Sequence, residues 1–213
     1  MKSKNTMHKR WTLLIVIAIA YSSPAENLKT AQPNAAAEGF LLIAHERMID
    51  PRFGESVLLM IQYGSDGAMG VIINRPTDIP LSTALPQVEE LAGSRAPLFF
   101  GGPVSRRVVS VLFQSDDDPQ AEGITRVFAN VYFSRRQEII DEVFSRSKPV
   151  FKVYSGFAGW APGQLEREID RGDWLLGKAA GAIIFKKEST HIWPDLTGHP
   201  RPNPGNTIQA RTD

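Results

Sequence analysis

Short apolar runs recur along the chain from residue 40 to residue 185, and several of them have no polar face. Residues 40–44, 57–62 and 69–74 are rich in Ile, Val and Leu, and 98–100, 108–113, 127–133, 150–155 and 182–185 continue the pattern. Runs of about four to eight such residues between turn signals read as strands. A strand that is apolar on both sides must be covered on both sides, so helices are expected outside the sheet. The second and third runs are joined by YGSDGA, whose Asp66-Gly67 pair can take the positive φ of a tight hairpin.

Three segments carry helical signals. Residues 81–91 follow Pro80 but contain Pro86, which predicts a short or broken helix. Residues 134–145 open with Ser134 and place Gln137 three positions on, the pattern of a capping box, and Ile139, Ile140, Val143 and Phe144 form one apolar stripe. Residues 162–171 put Pro162 in the first turn and Gly172 just past the end. Leu165 and Ile169 form the expected buried face there, and Gln164, Glu166, Arg167, Glu168 and Asp170 read as a solvated one.

Both ends of the chain differ from this pattern. The start runs MKSKNTMHKR, then WTLLIVIAIAY, then SSPA, with Ser23 and Ala25 at the positions of a small-x-small cleavage site. A basic stretch, a short apolar stretch and small residues in that order predict a secretory signal peptide over 1–25, cleaved after Ala25. The apolar run is too short for a membrane span, which needs about 18 residues. Residues 26–38 are expected to be a flexible leader, and the proline-rich residues 197–213 a disordered tail. One folded domain, 39–196, lies between, in the periplasm or medium if the leader is read correctly and in the cytoplasm if it is not.

Charge narrows the function classes. The chain has 24 basic and 23 acidic residues, and cleavage after Ala25 removes four basic residues and no acidic one. The slightly acidic remainder is a poor match for nucleic acid, whose affinity rests on phosphate contacts. No cysteine is present, so disulfides, thiolate metal sites and a cysteine nucleophile are excluded. His45, His191 and His199 have no metal-ligand spacing, no serine-histidine-carboxylate grouping can be argued, and no cofactor or metal is expected.

Four segments carry a family resemblance: LLIAHERMIDPRFGESVLLMI (41–61), DGAMGVIINRPTDIPLS (66–82), FGGPV (100–104) and VYSGFAGWAPGQLEREIDRGDWLL (153–176), with FANVYFS (128–134) in support. Together they resemble the YqgE/AlgH family of small bacterial proteins. The resemblance implies a single α+β domain, whose bent sheet is partly closed into a small barrel with helices packed outside. It brings no established activity, although some members carry the label of transcriptional regulator. The chain departs from the family pattern at Ile61, Gln62 and Tyr63, where many members have Cys-Glu-His or similar, and at Phe113, where many have histidine.

The candidate ligand-binding residues fall into three groups. Gly101 and Gly102, before Pro103, can let backbone N–H groups approach an anion, or simply form a tight turn. Asn74 and Arg75 end a strand, where Arg75 can grip a carboxylate or phosphate and Asn74 can satisfy loop backbone. Gly156, Gly159, Trp160, Gln164 and Glu166 combine small residues, a flat apolar wall and a helix start, which suits a small acidic ligand; close packing around a core Trp160 is the alternative. The leading expectation is a non-enzymatic exported domain that binds a protein or small acidic ligand. A transcriptional regulator and an envelope hydrolase with Glu166 or Glu168 as base are the alternatives.

Overall fold

The computed structural model describes residues 39–200; the expected signal peptide, its cleavage site at Ala25 and the leader lie outside the described residues, as do residues 201–213. Ten strands form one curled sheet: β1 (Phe40–Ala44), β2 (Val57–Gly64), β3 (Gly67–Ile72), β4 (Pro76–Pro80), β5 (Pro97–Phe100), β6 (Val104–Gln114), β7 (Ile124–Phe128), β8 (Val131–Ser134), β9 (Phe151–Trp160) and β10 (Trp174–Lys178). The order is β10-β1-β2-β3-β9-β6-β8-β7, and β4 and β5 branch from β9. Every pairing is antiparallel except β5 with β9. β7 curls back toward β2, so the sheet forms a half-barrel. The expected α+β class and bent, partly closed sheet are observed.

The two-sided apolar runs are explained by three core layers. Leu41 and Ile43 point into the concave face with Val57, Leu59, Val71, Tyr154 and Trp193, while their neighbours Phe40, Leu42 and Ala44 point outward and meet Leu58, Trp160, Leu165 and Trp174. That alternation is the period of two of a strand, with both faces buried. A third cluster joins Val111, Phe113, Tyr132 and Val153 to Ile139, Ile140, Val143 and Phe144 of α2 (Gln137–Ser145). Helices α1 (Leu81–Ala84), α3 (Gln164–Asp170) and α4 (Ser189–Thr197) complete the shell.

Several expectations are corrected. Ser134 is the last residue of β8 and does not cap α2, which starts after Arg136. Its hydroxyl instead donates to the Gly123 carbonyl and accepts the Arg136 N–H. The run 127–133 is two strands, divided at Ala129, which takes φ 41°. Residues 182–185 belong to a wide helical turn (Ala182–Lys186), since periodicity cannot separate a short buried helical segment from a strand. The segment 81–91 is one α turn followed by a 3-10 turn at Glu89–Leu91. In the hairpin only Gly67 has positive φ. α3 starts at Gln164, with Gly163 in the left-handed conformation before it, and Pro162 lies outside the helix. α4 ends at Thr197 with Gly198 as its cap, and the His199 ring lies 4.6 Å from that of Trp193.

β9 holds the architecture together, because it pairs with β3, β5 and β6 in turn. It bends at Gly156 (φ 72°), where the 101–104 segment crosses it. A Cβ on Gly156 would lie 2.5 Å from the Gly102 carbonyl oxygen, and one on Gly101 would lie 2.3 Å from that of Gly156. Gly156→Ala therefore meets backbone, combined with a left-handed φ, and should cost about 3 kcal/mol or more. Gly54→Ala meets nothing within 4 Å and should stay within about 0.5 kcal/mol. Denaturant unfolding of the two variants checks this crossing; equal stabilities would contradict it.

Candidate functional site

The sequence candidates separate in space. Asn74 accepts the Val57 N–H at 2.8 Å and donates to the Glu55 carbonyl at 2.9 Å. Arg75 donates to the carbonyls of Arg52 and, at 2.7 Å, Gly54. Burial lowers the Arg75 pKa against the opposing charge of Glu55. Asn74 and Arg75 thus pin the 52–57 loop. The Gly101 N–H donates to Ser155 at 2.9 Å, and its carbonyl accepts from Ile72. Gly101, Gly102 and Gly156 belong to the β9 crossing, where their missing side chains are a packing requirement.

Gly159, Trp160 and Gln164 meet at an open groove of about 520 Å³ between the 48–53 loop, the end of β9, the Pro103-Val104 corner and α3. Trp160 is only 7% exposed and Trp174 only 3%. Their rings lie 6.2 Å apart, and Phe53 lies 6.5 Å from Trp160 and 5.6 Å from Trp174. At these separations the rings touch, so they form a packed floor rather than a cage around a ligand. Asn74 and Arg75 contribute from a distance, because the loop they hold carries Phe53.

One carboxylate organises that floor. Glu168 Oε2 accepts the indole N–H of Trp160 at 2.8 Å and of Trp174 at 2.9 Å, and Oε1 accepts the Gln164 amide at 2.9 Å. Gln164 Oε1 in turn accepts the Ala161 N–H at 3.1 Å. The residues come together because Gln164 and Glu168 stand four apart on one face of α3, above the side that buries Leu165. Glu166 is not in this network and does not line the groove; it faces Tyr63, whose phenol is raised above its ordinary pKa by burial and then by Glu166.

The rim carries charge in pairs. Arg52 and Asp50 meet at 2.6 Å, and Arg171 and Asp173 at 2.5 Å. The Arg52 hydrogen bond holds the Asp50 carboxyl below its ordinary value. With both guanidiniums paired, Glu168 is left with neutral N–H partners only, and the groove has one carboxylate in excess. Two apolar side chains stand at the edge: Ile49, 92% exposed, and Val104, 39% exposed. Sequence reasoning missed Ile49, Phe53, Val104 and Trp174: the first two are isolated apolar residues in a loop, and the other two open strands, where no periodicity flags a first residue. His45 lies nearby only through its backbone, donating its N–H to Asp173.

The family model described as AlgH-like matches residues 41–202. The chain belongs to the AlgH-like family. It is 36% identical over 160 residues to a UPF0301 protein of Ruegeria pomeroyi, covering 73% of this chain and 86% of that protein. A UPF0301 protein of Mycobacterium tuberculosis is 29% identical over 175 residues, covering 81% and 86%. The solution structure of AlgH from Pseudomonas aeruginosa superposes with a TM-score of 0.59 at 29% identity, covering 75% of this chain and 86% of that one. Protein DIP2367 of Corynebacterium diphtheriae gives 0.65 at 23% identity, covering 85% and 96%, a likeness of fold.

Replacing Glu168 with glutamine keeps the size but turns an N–H₂ group toward donors that need an acceptor. Glu168→Gln should lower stability by about 1–3 kcal/mol. Chemical unfolding measures it, and a change below about 0.5 kcal/mol would mean that the carboxylate does not organise the floor.

Proposed function

We propose that this AlgH-like chain is an exported, non-enzymatic binding module whose groove takes an apolar protein segment bearing one basic side chain. The observation that carries the reading is Glu168: a carboxylate compensated by neutral donors alone, at the floor of a groove edged by exposed Ile49 and Val104. An apolar segment gains by covering Ile49 and Val104, and a lysine or arginine beside it answers the unpaired charge. The same charge disfavours a small acidic ligand, the other partner class considered. The groove volume, about 520 Å³, suits a few side chains rather than a folded domain.

The same network speaks against the hydrolase alternative. A general base must take up and release a proton, whereas three of the roughly four acceptor sites of the Glu168 carboxylate hold indole and amide donors that fix the fold, which leaves one site on Oε1 to answer a cation. The regulator alternative finds no support in the charge balance. Export is inferred from the basic, apolar and small-residue order of residues 1–25. N-terminal sequencing of the protein from fractionated cells should place its start at Glu26; a full-length chain found only in the cytosol would overturn the export part of the reading.

The groove is tested with three capped pentapeptides, Ala-Leu-X-Leu-Ala, in which X is lysine, norleucine or glutamate. Affinity followed through the tryptophan indole resonances should fall in that order. Ile49→Ser and Val104→Ser should each weaken the lysine peptide about tenfold while leaving stability within about 0.5 kcal/mol. Equal affinity for the lysine and glutamate peptides, or cleavage of any of them, would contradict the proposal.

A further inference from the structure

The last described residues sit beside the groove. After Gly198 caps α4, the His199 ring is held from two sides: it lies 4.6 Å from the Trp193 ring, and its Nε2 is 3.1 Å from the Glu46 carboxylate. Glu46 belongs to a turn in which the Met48 N–H donates to the His45 carbonyl, and Met48 and Ile49 line the groove. The chain therefore leaves the fold at Pro200 next to the loop that forms one wall of the groove. Residues 201–213, RPNPGNTIQARTD, follow outside the described residues.

The composition of that tail complements the groove. Ile208 is its one large aliphatic side chain, and Ala210 and Arg211 follow within three positions. An aliphatic residue close to a single guanidinium answers the exposed rim of Ile49 and Val104 together with the Glu168 carboxylate, whose partners are neutral donors alone. Arg201, the other basic residue of the tail, stands among prolines and polar residues with no aliphatic neighbour.

Resting on the reading of the groove as a site for an apolar, singly basic segment, we propose that residues 207–211 of this chain occupy its own groove. Arg211 answers Glu168, Ile208 covers the rim, and an outside segment has to displace the tail before it binds. Reach allows this: at about 3.3 Å per residue, the eight residues from Pro200 to Ile208 span about 25 Å. Met48 stands only two residues along the chain from the Glu46 that holds His199. Tethering also makes weak contacts sufficient, because a short linker presents its segment at an effective concentration of about 1 mM or more. A segment with a dissociation constant of about 0.1 mM is then docked about nine-tenths of the time, and a competing peptide binds about tenfold more weakly than to an empty groove.

The test uses the full chain. With no native cysteine, Asp213→Cys gives a single site for a nitroxide label just beyond the docking segment. The label should broaden the Trp160 and Trp174 indole resonances more than that of Trp193, although Trp193 lies against His199 at the root of the tail. Adding Arg211→Glu to the labelled chain should abolish that preference, whereas Arg201→Glu, the same charge change outside the segment, should leave it. Without the label, Arg211→Glu should bind the Ala-Leu-Lys-Leu-Ala peptide about tenfold more tightly than the parent chain does. Broadening no stronger at Trp160 and Trp174 than at Trp193, or a preference that survives Arg211→Glu, would overturn the proposal. So would equal broadening when the spin label and the observed indoles are on different chains in a mixture, which would give the groove to the tail of a second copy. Equal binding of the lysine and glutamate peptides would overturn the reading of the groove instead; the label pattern involves no peptide and tests the tail by itself.

Discussion

The structure depends on the path of one strand. β9 has to leave β6, accept β5 in parallel and continue alongside β3, and it does so within ten residues. That passage is possible only because Gly101, Gly102 and Gly156 let two backbones cross at distances a Cβ would close. Past the crossing, β9 delivers Trp160 to the outer face, against Leu165 of α3 and Trp174 of β10. The groove is therefore a consequence of the crossing: the bend that closes the half-barrel also places an indole beside a helix that carries a carboxylate.

Glu168 then converts proximity into a fixed surface. Burying two indole N–H groups without acceptors would cost about 1–3 kcal/mol each, so a single carboxylate that accepts both is a strong local constraint. It also ties three separate pieces of chain together: the end of β9, α3 and the start of β10. On the opposite wall, Arg75 and Asn74 hold the loop that presents Phe53. The polar groups that looked available for a ligand in sequence are largely occupied by the scaffold, and what remains for a partner is apolar rim and unpaired negative charge.

Most of the sheet was legible in sequence because its strands are apolar on two sides and bounded by turn residues. β4 was not, since Pro76–Pro80 is a short, mostly exposed edge with proline at both ends. β10 was hidden because Trp174–Lys178 follows a helix end directly and was read only as part of a motif. α4 was missed because Pro194 interrupts its pattern, although Ile192 and Trp193 are buried. At the site, the segment around Trp160 and Gln164 was singled out in sequence; Trp160 is core, and the groove lies above it. Glu168 was read as a solvated face because periodicity reports which side of a helix is polar; it does not report which distant indoles reach it.

The central claim is that the Glu168 carboxylate holds both indoles at the floor of the groove. Hydrogen exchange at the two indole nitrogens measures this in the unmodified protein. The Trp160 and Trp174 indole protons should exchange about a hundredfold more slowly than those of free indole, or slower still, and with matching rates, since one acceptor holds both. Exchange of either proton within about threefold of free indole would contradict the account.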